Sequence, residues 1–367
     1  MSSTLNNRLI SLDAMRGFTI AGMVIVNDPG SWSHVYAPLL HAKWNGATPT
    51  DLVFPFFLFI VGVSIALAYQ KRLDQQVDKG PLVKKIFIRS LKIFALGIFL
   101  WLWPKFDFGH IRWAGVLPRI SLVFLACALL FLYTDWKQQL KISIGILVGY
   151  WIIMAYIPIP GIGAPDLSVP EKNWANFIDY KILPGVLWQK TWDPEGILST
   201  FPAIVSGITG MLIGRIILDT KDEFKKLSWV FFWGWAMLGL GNILGWFFPI
   251  NKHIWTSSYV LYTSGLAALS LAAFILIVDI LSIKKWTQIG RVFGANAITS
   301  YVLAGMLTLV FYRDIFGDSG LNDMFMETMT GIGFSPKLAS LSYAIIYMFI
   351  IYIPAYILYK KKIFIKV

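Results

Sequence analysis

The sequence predicts an all-α polytopic membrane protein, a bundle of about ten transmembrane helices with both termini in the cytoplasm. Of 367 residues, 57% are hydrophobic and only 14% charged. Runs without charge recur at close to the ~20 residues that cross ~30 Å of hydrocarbon. A segment in lipid must satisfy its own backbone hydrogen bonds, so each run is read as a helix. The third observation is the distribution of Lys and Arg, which is lopsided between alternate connections.

A short polar N-terminus leads into ten apolar spans, at about 12–27, 50–69, 86–103, 115–133, 139–157, 196–218, 228–248, 256–280, 291–312 and 338–360. The first span lacks a small-residue cleavage site behind it and is expected to be retained. With the N-terminus inside, the cytoplasmic segments hold 19 Lys and Arg, including Lys71, Arg72, Lys84, Lys85, Lys284, Lys285 and Lys360–Lys362. The opposite side holds 9, among them Lys43, Arg112 and Lys252. Trp32, Trp44, Trp101, Trp103, Trp113 and Trp255 gather near the outer boundary, where an amphipathic indole prefers to sit. The whole chain, 1–367, reads as one transmembrane domain with a long outer loop at about 158–195. That loop is expected to be ordered, because Trp174, Phe177, Ile178, Leu183, Leu187 and Trp188 need cover.

The net charge of +12 follows the cytoplasmic face, where topology and anionic lipid account for it, so no nucleic-acid partner is expected. Cys127, the only cysteine, excludes an intramolecular disulfide and a cysteine-ligated metal site. His34, His41, His110 and His253 have no metal-ligand spacing, and no metal is expected. No phosphate-binding glycine loop, dinucleotide motif or glycine-framed serine is present.

The chemistry concentrates in His41-Ala-Lys-Trp-Asn-Gly-Ala-Thr-Pro-Thr-Asp51, directly before the second span. Thr50 or Asp51 is suited to cap that span, which would hold an imidazole, an amide and a carboxylate together at one membrane surface. A neutral imidazole there is a usable base. The bland alternative is a loop histidine and a mere cap. Asn27 ends the first span on the same side, as a polar partner or a bare C-cap. Asp13 and Arg16, three apart, can pair on one helix face. Arg119 follows Pro118 inside a span and must find a partner elsewhere or a wet cavity. Arg89 and Lys92 are expected to snorkel. Asp193-Pro-Glu-Gly196 reads as a helix start, with Asp193 as cap. Asn251, Lys252 and Trp255 open the eighth span outside, and Asn296 lies within the ninth.

These residues carry a resemblance. Ser11-Leu-Asp-Ala-Met-Arg-Gly17, Val26-Asn27, the His41–Asp51 block with Leu-Val-Phe-Pro55, Gly115-Val-Leu-Pro-Arg-Ile120, Asp193-Pro-Glu-Gly-Ile-Leu198, Asn251-Lys-His-Ile-Trp-Thr-Ser-Ser-Tyr259 and Phe293-Gly-Ala-Asn-Ala297 resemble the heparan-α-glucosaminide N-acetyltransferase family and its bacterial, NagX-type branch. The resemblance covers essentially the whole chain. It implies transfer of an acetyl group from cytosolic acetyl-CoA to the amino group of a glucosamine on the far side of the membrane. His41 would be the catalytic histidine, Asn27 a polar partner and Asp51 the matching acid. Trp44, Asn45, Arg119, Lys252, Trp255 and Asn296 are the candidates for the acceptor site. Arg16, Lys360, Lys362 and Lys366 are those for acetyl-CoA.

The implied location is a bacterial-type inner membrane with His41 facing outward, and a homodimer is left open. The chain is expected to lack the N-terminal luminal segment of the lysosomal member, and its 158–195 loop lacks paired cysteines. The acceptor is therefore open. His41 acts either as general base or as a transient acetyl carrier. Competing readings are a secondary transporter of an amino sugar, whose site would lie near the midplane, and an O-acyltransferase of envelope polysaccharide.

Overall fold

The computed structural model describes residues 9–312 and 320–365; Arg8, Arg313 and Lys366 lie outside them. Among the described residues the elements are helical, in the order α1 (Ile10–Asn27), α2 (Pro49–Asp74), α3 (Lys79–Leu102), α4 (Val116–Tyr133), α5 (Trp136–Tyr156), α6 (Trp174–Ile182), α7 (Ile197–Asp219), α8 (Glu223–Gly245), α9 (Ser257–Phe274), α10 (Gln288–Ala295), α11 (Ala297–Phe311), α12 (Leu321–Gly331) and α13 (Pro336–Lys360). A π-helical turn over Ile275–Ile280 extends α9.

Among the described residues eight helices are long and apolar enough to cross a membrane, and a ninth span is formed if Lys285–Ala295 and Ala297–Phe311 count as one. The expected tenth is α3, which has the length but carries Lys84, Lys85, Arg89 and Lys92. The Arg89 guanidinium lies 4.7 Å from the centre of the Phe124 ring. The expected 291–312 span is not one straight helix. It bends by 77° at Asn296, a break that a run of hydropathy does not reveal.

The chain divides into two compact units, residues 1–36 with 269–366, and residues 37–268. In the first, Gly17 on α1 faces Gly290 and Gly294 on α10 so closely that a Cβ on Gly17 would overlap the Gly290 backbone. Arg16 pairs with Asp13 at 3.3 Å, as the spacing predicts, and donates to the Gly294 carbonyl. Asn296 uses both halves of its amide on the C-terminal tail: Nδ2 donates to the Ile363 carbonyl (3.0 Å) and Oδ1 accepts from the Ile365 N–H (2.9 Å).

In the second unit α2 and α7 form the central pair. Gly62 faces the Gly207 backbone and Gly210 faces that of Phe59, so small residues bring the two helices into direct contact. Buried Ser90 on α3 and Ser121 on α4 satisfy each other, Oγ to Oγ at 2.8 Å. The α5 and α8 helices leave most of their apolar surface uncovered, as lipid-facing helices do. Gly145 on α5 has open space where a side chain would go.

The 158–195 segment is ordered, as expected. It contains α6, buries Asn173, Ala175, Asn176 and Asp179, and seats Leu167 and Trp174 on a core of Tyr150, Met154, Phe248 and Ile254. Trp188 departs from expectation: it is exposed and carries the Arg112 guanidinium 4.9 Å from the centre of its ring.

The α2–α7 contact yields a prediction. Gly62→Val forces atoms into the Gly207 backbone, so monodisperse protein recovered in detergent should fall at least about tenfold on overpacking grounds. Gly145→Val should leave the yield unchanged. Equal recovery of both variants would refute the close approach.

Candidate active site

The site grows out of the start of α2. Thr48 is the N-cap and Pro49 opens the helix, so the cap lies two or three residues before the Thr50 or Asp51 that the sequence suggests. Asp51, the third helical residue, reaches back to complete a capping box: its Oδ2 accepts the Thr48 N–H at 2.9 Å. The same oxygen accepts the Ala42 N–H (2.9 Å) and lies 3.1 Å from the Thr48 hydroxyl. The Thr50 hydroxyl donates to the Pro38 carbonyl (3.1 Å). Asp51 is fully buried, so it needs this set of donors.

The other carboxylate oxygen, Oδ1, lies 2.7 Å from His41 Nδ1. An ionised carboxylate only accepts, which puts the imidazole proton on Nδ1 and the lone pair on Nε2. His41 is 41% exposed at its side chain, beside a carboxylate with no exposure at all. This is an oriented base with its partner under cover.

A second segment closes over the pair from 211 residues away. Gly46 N–H donates to the Ile250 carbonyl (2.7 Å), Asn251 Nδ2 donates to Asn45 Oδ1 (3.0 Å), and Gly46 and Asn251 form an isolated parallel bridge. Gly46 has φ +103°, a conformation that favours glycine. The turn then carries Lys252 Nζ to 3.0 Å from His41 Nδ1 and 3.2 Å from Nε2, with Asp51 Oδ1 at 3.6 Å. Burial pulls the Lys252 ammonium below the ordinary lysine range, while Asp51 and Glu195 oppose that shift. His253 places Nε2 3.1 Å from the Ala42 carbonyl, stacks on Trp44 (5.3 Å, 6°) and meets the edge of Trp192 (5.1 Å). Burial lowers its imidazole pKa, which favours the neutral form.

Trp255 ends the turn at φ +49°, a strained conformation for an aromatic residue. Its buried ring repays that cost. It packs on Phe54 and Tyr259 (5.2 Å each), and its Nε1–H donates to Ser206 (3.2 Å). Tyr259 in turn donates to the Asp51 backbone carbonyl at 2.6 Å.

Beneath Trp255 lies Arg119, 1% exposed and 5.1 Å from its ring centre. It finds its partners in the Gly196 carbonyl (3.0 Å) and the Ser199 hydroxyl. Asp193 does not cap α7. The helix starts at Ile197, and Asp179 caps it from α6 by accepting the Ile197 N–H (2.8 Å). Asp193 and Glu195 are taken instead by Arg112, whose Nη2 reaches each at 2.6 Å and whose Nε reaches Asp193 at 2.7 Å. This bidentate pair holds the Asp193 carboxyl below the usual carboxylate range and raises the Arg112 pKa.

The structure therefore brings together His41, Asp51, Asn45 and Lys252, with Arg119 and Trp255 buried behind them. Trp44 serves as an anchor, its Nε1–H donating to the Leu167 carbonyl (2.7 Å) and its ring covered by His253 and Trp192. Asn27, exposed at the end of α1, Arg16, Asn296, Lys360 and Lys362 belong to the first unit, and Lys366 lies outside the described residues. The amide of Asn296 is occupied by the tail, which departs from a free acceptor contact. Lys360 Nζ lies 5.0 Å from the Tyr356 ring centre. No group of three or more His, Cys, Asp or Glu suited to a metal occurs among the described residues. Sequence reading missed Arg112, Trp192, Glu195 and His253. The signal for His253 was its place inside the Asn251–Tyr259 block.

The family described as heparan-alpha-glucosaminide N-acetyltransferase, catalytic, matches residues 8–248. The chain belongs to this family. Two curated relatives of that name extend the likeness beyond the matched segment. The Homo sapiens protein is 30% identical over 360 residues, covering 82% of this chain and 53% of the relative. The Mus musculus protein is 30% identical over 355 residues, covering 81% and 53%. The chain spans about half the length of the curated relatives it matches. Lys252 and His253 lie just past the segment matched to the family, within the turn that closes the site.

The cap on α7 gives a pH test. Burial raises the Asp179 carboxyl from 3.8 to about 7. A folded-state pKa above the unfolded value favours folding most below about pH 4, and that contribution is lost as pH rises through about 7. Asp179→Asn keeps the acceptor and removes the titration. Its unfolding temperature should trail or match the parent at pH 5 and exceed it at pH 8. A difference that does not change between the two pH values would refute the assignment.

Proposed function

We propose that the chain is an acetyl-CoA-dependent N-acetyltransferase, moving acetyl to the amino group of a glucosamine-type sugar across the membrane. One observation carries the reading: a fully buried carboxylate 2.7 Å from Nδ1 of a half-exposed histidine, in a family whose curated relatives are named as N-acetyltransferases of a glucosaminide. An amino sugar arrives largely as an ammonium, which is not nucleophilic. One proton leaves to solvent to give the free amine; its nitrogen bonds to the thioester carbon as the carbonyl electrons move to oxygen, and His41 Nε2 takes the second proton from that nitrogen. Collapse breaks the C–S bond, and the proton passes to the departing thiolate. Asp51 keeps Nε2 available by holding the proton on Nδ1, and it stabilises the imidazolium that forms.

The basic side of the chain takes acetyl-CoA in this reading, because the donor does not cross the bilayer and its phosphates seek cations. Arg16, Lys360, Lys362 and Lys366 are the proposed contacts. Asn27 is the proposed polar partner in the transfer. The His41 side faces away from the cytoplasm, in a bacterial-type inner membrane.

His41→Ala should cut acetyl transfer to glucosamine at least ~10²–10⁴-fold, the usual share of a general base. Expression, detergent stability and acetyl-CoA affinity should persist; near-parental turnover would remove the reading. Sidedness has a separate test. A cysteine at Ser168, in a Cys127→Ser background, should react with an impermeant maleimide in intact cells. Reaction only after lysis would place this loop, and with it the acceptor, on the other side.

A further inference from the structure

The proposed base sits against a cation that general-base chemistry alone does not require. Lys252 Nζ is 3.0 and 3.2 Å from the two nitrogens of one imidazole, so it lies in line with neither lone pair. Nδ1 gives its proton to Asp51 at 2.7 Å and has no lone pair left to offer. Asp51 Oδ1 is 3.6 Å from Nζ, an ion-pair distance longer than a hydrogen bond. Among the described residues the lone pair nearest Nζ is therefore that of Nε2, 3.2 Å away and off its axis, the one that the acceptor amine must use. When an amine takes it, an ammonium with unused N–H groups remains about 3 Å away, inside a site where Lys252 is only 13% exposed.

Lys252 is also held in place. Asn251 is fully buried and tied to Asn45. Trp255 N–H donates to the Lys252 carbonyl (3.1 Å). The flanking His253 is wedged between Trp44 and Trp192. A preorganised, water-poor cation gains most where negative charge appears during the reaction.

We propose that Lys252 is a catalytic residue whose ammonium receives the negative charge developing on the acetyl oxygen as the amine adds. The proposal rests on His41 acting as base. The N–C bond forms, the π pair moves to oxygen opposite a Lys252 N–H, and the amine proton goes to His41 Nε2. As the carbonyl reforms, C–S breaks and the thiolate takes the proton from His41. Lys252 keeps its three protons throughout.

The test uses the full chain in lipid vesicles, with acetyl-CoA, glucosamine and thiol release as readout. Lys252→Met should lower kcat roughly 10²–10³-fold, the usual cost of losing one oxyanion donor. Both KM values should stay within about threefold, since the charge appears only in the transition state. Lys252→Cys in the Cys127→Ser background, alkylated with 2-bromoethylamine, restores an ammonium at nearly the native length and should recover at least about tenfold in kcat.

Lys252→Met turning over within about threefold of the parent would overturn the proposal. So would a folded Lys252→Cys protein that alkylation fails to rescue, or a loss expressed mainly in KM. If Lys252→Met does not fold, alkylated against unalkylated Lys252→Cys decides the question alone. His41→Ala run alongside separates the two readings. An active His41→Ala protein removes the base itself, whereas an inactive one beside an active Lys252→Met protein removes only the role of Lys252.

Discussion

Everything at the His41 end of the second unit depends on satisfying one buried carboxylate. An ionised Asp51 without donors would be expelled from a site with no solvent exposure. The chain surrounds it with the Thr48 and Ala42 N–H groups, the Thr48 hydroxyl, the His41 ring and the Lys252 ammonium. These groups come from four separate constraints: the helix cap, the loop before it, the His41 ring and a distant turn. Ordering α2, orienting the imidazole and drawing in Lys252 are thus consequences of one electrostatic requirement.

The distant turn reaches Asp51 because its backbone is anchored from below. Trp255 adopts a left-handed conformation that exposed aromatic residues avoid, and the burial of its indole among Phe54, Tyr259 and Arg119 compensates. Tyr259 donates to the Asp51 backbone carbonyl, so α9 and α2 are tied at the same level as the site. Arg112 pairs with Asp193 and Glu195 beside the same turn. Breaking a buried pair of this kind typically costs ~3–5 kcal/mol, because the partner is left charged and uncompensated.

What the sequence made legible was local. The His41–Asp51 block could be read because ten residues of chain and one helix start bring its groups together, and the apolar spans could be read because lipid imposes their length. The Asp13–Arg16 pair follows from helix periodicity. Asp193 was misread because the motif Asp-Pro-Glu-Gly fits a helix start equally well, and only the approach of Arg112 from 81 residues away decides against it. Asn296 looked like one polar residue in a span because hydropathy is blind to a bend. Lys252 was visible as a polar residue outside a span, but its distance to His41 depends on a turn pinned by tertiary burial. No spacing rule reaches 211 residues.

The double use of Asp51 also limits what its own substitution can say. In Asp51→Asn, one of the two oxygen positions becomes an amide NH₂ group. Placed at Oδ2, it would point its hydrogens at the N–H donors of Ala42 and Thr48. Placed at Oδ1, it would face His41 Nδ1 and force the ring proton to Nε2, removing the lone pair from the reacting side. Either arrangement damages the helix start or the tautomer, and leaves Lys252 without its nearest counter-charge. Loss of activity in Asp51 variants would follow from the cap as readily as from the chemistry. His41 is held through one ring nitrogen at the surface, and its removal leaves the backbone donors to Asp51 in place. The proposed chemistry is therefore separable from architecture at the imidazole and inseparable from it at the carboxylate.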